Sequence, residues 1–148
     1  MSLTYIPADL RRLVILRAER LCEYCLIHED DTFFGCEVDH IVSEKHGGLT
    51  VADNLAYACL VCNRNKGTDL GSLWDPTGSL IRFFNPRLDN WSDHFSFDGG
   101  IIRPITPTGQ VIERIFKFNE IERISERESL RAVGRYPFDA GRGQGRTS

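Results

Sequence analysis

The sequence predicts a small α+β fold in which a strand–loop–strand–helix core sits between an N-terminal helix and a C-terminal hairpin-plus-helix extension. Three observations carry this. Two Cys-x-x-Cys pairs, Cys22/Cys25 and Cys59/Cys62, bracket the centre of the chain. Between them, two short β-prone runs, Cys36-Glu37-Val38 leading to Ile41-Val42 and Leu55-Ala56-Tyr57-Ala58, flank a Gly47-Gly48 turn. Apolar residues recur at helical spacing before the first cysteine pair.

In chain order, residues 1–7 lead into a helix predicted from Ala8 to Leu21, entered through Pro7-Ala8-Asp9. Leu10, Leu13, Val14, Leu16, Ala18 and Leu21 form its apolar set, and Arg11, Arg12, Arg17 and Arg20 fall on the other face. A solvated face is the default reading of those charges, and a stripe along a nucleic-acid backbone is the sharper one. The polar stretch Ile27-His28-Glu29-Asp30-Asp31 reads as solvent-exposed. After the first strand, Ser43-Glu44-Lys45-His46-Gly47-Gly48 is a loop with His46 at its polar tip, and Asn63-Arg64-Asn65-Lys66 starts a short helix.

The region 67–76 reads as a loop-rich exit, closed by Asp75-Pro76-Thr77-Gly78. A strand over Leu80–Phe84, a second over Trp91–Phe97, and the hairpin turn Asp98-Gly99-Gly100 into Ile101–Ile105 follow. Thr106-Pro107-Thr108-Gly109 reads as a further turn, Val111–Phe116 as a helix, and Asn119 as the cap of a last helix through about Val133. At 148 residues the chain is expected to be one domain over 1–138, with its core at 22–67 and the extension at 78–134; 139–148 lacks apolar content and reads as a flexible tail.

Each Cys-x-x-Cys turn brings two thiolates to one ion, so the two together predict a four-sulfur zinc site made by Cys22, Cys25, Cys59 and Cys62. Four-thiolate closure leaves no open coordination position, which makes the zinc structural. Two disulfides or a redox dithiol would need another setting: no signal peptide precedes the chain, and Cys36 has no partner cysteine. A cytoplasmic location is therefore expected, with Cys36 as a small buried apolar residue. No apolar run approaches the roughly 20 residues of a membrane span. The net charge of −3 argues against a generally cationic nucleic-acid binder but leaves room for a local basic cleft.

Asp39-His40, then Asn54, then Asn63 directly after the last cysteine, in the context Cys62-Asn63-Arg64-Asn65-Lys66, resemble the motif of HNH endonucleases. The CRISPR effector nucleases carry such a domain. The family's core is a ββα-metal fold, and its third motif position is known as Asn, as at Asn63 here. The resemblance implies metal-dependent hydrolysis of DNA phosphodiesters. It makes His40 the base that deprotonates water and gives Asn54 the task of holding the loop and orienting the His40 ring. It places Asp39 and Asn63 on a catalytic divalent cation; oxygen ligands suit Mg²⁺ or Mn²⁺ better than zinc. Lys66, which matches the family's motif lysine, and Arg64 are expected to meet phosphates of double-stranded DNA.

Taken singly, Asp39-His40 would be a surface pair, Asn54 a turn residue and Asn63 a helix cap; their joint spacing inside two cysteine pairs favours the nuclease. Phe84-Asn85-Pro86-Arg87, Trp91-Ser92-Asp93-His94-Phe95, Asp98-Gly99-Gly100 and Thr106-Pro107-Thr108-Gly109 further resemble the C-terminal extension of bacterial HNH proteins, many of them cyanobacterial. His94 and Arg87 have packing or surface roles as their default reading, with DNA contact or a second ligand set as the sharper one. A zinc module that binds nucleic acid or protein without cutting is the competing class; it would need only the cysteines. One such site cuts one strand at a time, so a double-strand break would take a homodimer or two successive nicks.

Overall fold

The computed structural model describes residues 4–138, so the expected tail, 139–148, lies outside the described residues. The protein is α+β, with four helices and three two-stranded antiparallel sheets among the described residues. It divides into two compact units. One runs to Thr68 and takes in Asn85–Arg87; the other comprises Asp69–Phe84 and the chain from Leu88 onward. The stretch 1–138, read from sequence as one domain, is spread over both. No helix among the described residues is long and apolar enough to cross a membrane.

In the first unit, helix α1 (Ala8–Arg17) begins after Pro7, with Asp9 in its first turn where a negative charge complements the helix dipole. It ends short of the expected Leu21, because Glu19 and Arg20 take left-handed conformations at φ 57° and 63°. This reversal lets Leu21 bridge to His28 and starts the first cysteine loop, where the Cys22 N–H donates to Ile27 O at 2.8 Å. His28 does not face solvent as expected. It is 7% exposed, and its Nδ1 accepts from the Asp30 N–H at 3.0 Å, so the ring caps the turn at Glu29–Asp31.

Strand β1 (Cys36–His40) pairs antiparallel with β2 (Leu55–Cys59), Cys36 opposite Cys59 and His40 opposite Leu55. Along β1, Val38 and His40 are buried while Asp39 is only partly so, the period-two alternation of a strand with one covered face. All of β2 is buried, since both α1 and α2 (Leu60–Lys66) pack against it. Ile6, Val14, Ala18, Val38, Leu55 and Tyr57 form the core, and Leu10, Ile15 and Cys36 lean on it. Burial pushes the Cys36 thiol pKa up, in keeping with an inert packing residue.

The detached piece Asn85–Arg87 completes this unit. Arg87 pairs with Glu23, the two side chains being 12% and 6% exposed, and its Nη1 donates to Leu55 O at 2.7 Å. The Glu23 carboxylate also accepts from the Tyr57 N–H at 2.9 Å. Arg87 thus has a packing role that joins the first cysteine loop to β2. Removing one partner of a buried pair strands the other charge, so Arg87→Ala is expected to destabilise this unit by about 3–5 kcal/mol. Urea denaturation checks this, and a loss below about 1 kcal/mol, the scale of a surface pair, would reject it.

The second unit holds two hairpins and two helices. Strands β3 (Gly71–Trp74) and β4 (Ser79–Arg82) pair across a turn, and β5 (Phe95–Asp98) pairs with β6 (Ile101–Pro104) through the expected Gly99-Gly100. β3 lies in the region read as a loop, and a 3₁₀ turn at Trp91–Asp93 occupies the start of the expected Trp91–Phe97 strand. Helix α3 (Pro107–Ile115) starts where a further turn was expected: the Thr106 hydroxyl accepts from the Gly109 N–H at 3.0 Å, and Pro107 opens the helix. Asn119 does not cap α4 (Ile121–Ala132), whose N-cap is Glu120. Its side chain instead bonds both backbone groups of Ile102, at 3.0 and 2.7 Å. Phe95, Ile102, Val111, Ile112, Phe116 and Phe118 are buried here, and Arg127, 2% exposed, donates to Gly100 O and Phe118 O at 2.6 Å each. His94 bonds Thr106 through Nδ1 at 2.6 Å, a packing role.

Candidate functional site

The four sulfurs of Cys22, Cys25, Cys59 and Cys62 lie within 4.8 Å of one another, with Cys25 and Cys59 at 3.7 Å. Tetrahedral coordination at a Zn–S distance of about 2.3 Å sets sulfurs about 3.8 Å apart, so the cluster fits a structural zinc. Cys59 ends β2 and Cys62 lies in the first turn of α2, and the loop that carries Cys22 and Cys25 is tied to β2 by the Glu23 N–H, which donates to Tyr57 O at 2.8 Å. All four side chains are buried, and burial pushes the Cys22 and Cys62 thiols well above their ordinary pKa. A bound cation inverts that cost by stabilising the thiolates. Among the described residues, no other group of three His, Cys, Asp or Glu side chains is placed to hold a metal.

His40 ends β1 at 2% exposure. Its Nε2 lies 2.9 Å from the Thr50 hydroxyl, and its buried Nδ1 has no hydrogen-bond partner among the described residues. A buried polar atom without a partner is uncommon and often marks a functional position. Asp39 precedes it on the alternate side of the strand. Asn63, on α2 directly after Cys62, is 5% exposed and lines a pocket of about 210 Å³ together with Leu60, Arg64 and Gly67.

Asn54 closes the loop between β1 and β2. Its Oδ1 accepts from the Val42 N–H, and its Nδ2 donates to Val42 O and Leu49 O, each at 2.9 Å. The hydrogen-bond partner of the His40 ring is Thr50, a residue that sequence reasoning did not single out, since a lone Thr after a Gly-Gly turn carries no signal of its own. The loop needs its glycines: Gly47 has φ 88°, and a Cβ on Gly48 would fall 1.7 Å from Val42 O. His46 is exposed on the 3₁₀ turn at Glu44–His46, as expected of a loop tip.

The two cations singled out from sequence lie in different settings. Arg64 is exposed beside the pocket. Lys66 is 4% exposed, and its Nζ donates to His40 O at 3.1 Å, so its ammonium braces the end of β1 from below instead of facing solvent. Arg17, also read as part of a solvated face, donates to Ala52 O and Leu55 O at 3.0 and 2.9 Å. Burial, then the neighbouring Arg87, lowers its pKa. Glu23 is a second residue that sequence reasoning passed over.

The model of the HNH endonuclease family matches residues 22–69, which span both cysteine pairs, β1, β2 and α2. No curated protein and no solved structure matches the chain.

Proposed function

Taking residues 22–69 as an HNH endonuclease domain, a fold whose members are typically nucleases, we propose that the protein is a metal-dependent DNA endonuclease with His40 as its general base. The observation that carries this reading is the buried His40 ring, one nitrogen of which has no protein partner while the surrounding loop is locked by Asn54. Imidazole titrates near neutrality and suits proton abstraction from water. In the reaction His40 takes a proton from water, the hydroxide so formed attacks phosphorus, the P–O bond to the leaving sugar breaks, and solvent returns a proton to the leaving oxygen.

Asp39 and Asn63 supply a carboxylate and an amide, a hard-oxygen donor set that fits Mg²⁺ or Mn²⁺. Bound there, the cation would supply charge stabilisation to the phosphate. With so few protein ligands, such an ion would complete its sphere with water and substrate oxygens. Arg64, exposed at the pocket edge, holds the DNA backbone; Lys66, bonded to His40 O, acts on the strand that carries the base. Double-stranded DNA remains the proposed substrate.

The test is nicking of supercoiled plasmid with Mg²⁺, with Mn²⁺ and with EDTA, repeated with Asn63→Ala. Cleavage is expected with metal and not with EDTA, and Asn63→Ala is expected to raise the half-saturating metal concentration about 10-fold or more. An unchanged metal titration would remove Asn63 from the ligand set. A zinc-loaded protein that binds plasmid yet leaves it uncut with every metal would favour a zinc-stabilised binding module instead.

A further inference from the structure

We infer that Arg17, on α1 and outside the matched stretch 22–69, is a positioning residue for His40 that acts through the turn carrying Asn54. Each bond in the chain of contacts has a direction fixed by chemistry, since a guanidinium only donates and a backbone carbonyl only accepts. Arg17 Nη2 donates to Ala52 O at 3.0 Å and to Leu55 O at 2.9 Å, so a single nitrogen brackets Asn54 along the chain. The Leu55 N–H closes the same turn on Ala52 O. Asn54 in turn holds the two residues that follow His40. Its carbonyl accepts from the Ile41 N–H at 2.8 Å, and its side chain bonds both backbone groups of Val42.

The turn needs an outside anchor. Ala52–Asn54 is a single 3₁₀ turn with no buried residue, so packing contributes little to its position. Helix α1 is anchored by contrast: Val14 lies in the core, and Leu10 and Ile15 lean on it. Arg17 passes that rigidity to the turn through two charge-assisted bonds. Arg87 Nη1 reaches Leu55 O as well, at 2.7 Å, so two guanidinium groups converge on the residue opposite His40. A reacting group displaced by about 1 Å through a distant change can lose about 10²-fold in rate, which makes this backbone hold a matter of catalysis as well as of folding. The consequence for cleavage rests on the nuclease reading; the hold of Arg17 on the turn does not.

The experiment measures amide hydrogen exchange and plasmid nicking in the parent, Arg17→Met and Tyr57→Phe. Arg17→Met keeps the apolar stem and removes the donors. It is expected to speed exchange of the Ile41 and Val42 amides about 10-fold or more and to lower kcat about 10- to 100-fold, with KM for plasmid and zinc content unchanged. Tyr57→Phe removes a hydrogen bond to Glu29 in the same unit but none between Arg17 and Val42, and is expected to leave both amides and kcat close to parental. Unchanged exchange at Ile41 and Val42 in Arg17→Met would overturn the inference. So would an equal loss of kcat in Tyr57→Phe, which would mark a general softening, or a raised KM at unchanged kcat, which would make Arg17 a DNA contact. Should Arg17→Met not fold, Arg17→Lys, which keeps charge and stem but ends one bond short, takes its place with the same expectations. If the parent nicks no DNA, the nuclease reading fails, while exchange at Ile41 and Val42 still decides the role of Arg17 at the turn.

Discussion

His40→Ala is expected to lower plasmid nicking by about 10²–10⁴-fold, the contribution of a positioned general base. The zinc content of the variant should match that of the parent. The main-chain links of His40 survive the change: its carbonyl still accepts from Lys66 Nζ, and its place opposite Leu55 in the β1–β2 ladder does not involve the ring. Single-turnover nicking at saturating Mg²⁺ measures the loss, and metal analysis of the same sample reports the fold. A zinc-loaded variant that nicks at the parental rate would show that another group removes the proton.

Loss of the zinc is expected to have the largest effect on structure. Structural zinc in small peptides carries an apparent binding free energy of about 10–16 kcal/mol, and where the metal is needed for folding that energy is folding energy. Here the four thiols sit in the interior of the first unit, and Cys59 and Cys62 join β2 to α2 directly. Cys22→Ala, or chelation with a strong zinc ligand, is expected to collapse the dispersed amide resonances of residues 4–68. The dependence on acidity has a definite sign. Zinc needs thiolates, and protons compete for them, so affinity falls as the pH falls and zinc is released on acidification. Burial, which pushes the Cys22 and Cys62 thiols up, acts in the same direction, because protonated thiols are the favoured buried form once the ion leaves. A spectrum that stays dispersed after complete zinc removal would show that the apolar core suffices.

Much of the core was legible because its signals are local. Cys-x-x-Cys spacing reports shared coordination, and the β-prone runs Cys36–Val38 and Leu55–Ala58 report the two strands. The order β1, loop, β2, α2 followed from these and from the Gly47-Gly48 break. What escaped depends on partners far along the chain. His28 looks exposed among acidic neighbours, yet a backbone bridge to Leu21 turns it inward. β3 is short and exists through its pairing with β4. Charge misled most: Arg17 reads as part of a solvated face and Lys66 as a phosphate contact, but each donates to backbone carbonyls. Thr106-Pro107 carried a legible signal for a helix start, since a capping hydroxyl and a proline at the first helical position belong together. At the site, residue types were readable and bonding was not: the spacing that singled out Asn54 and His40 could not say that Thr50 meets the ring.

The route of the chain around Arg87 bears on where this domain can be cut. The family match stops at residue 69, yet Asn85–Arg87 belongs to the first unit and supplies the counter-charge to Glu23 inside the first cysteine loop. A fragment ending at the match boundary would retain every cysteine and every motif residue, and would still lose the ion-pair partner of its buried Glu23 carboxylate. The domain is thus discontinuous in sequence. Moving it intact into a fusion protein, by engineering or by gene rearrangement, means carrying the β3–β4 hairpin along as the connection that returns Arg87.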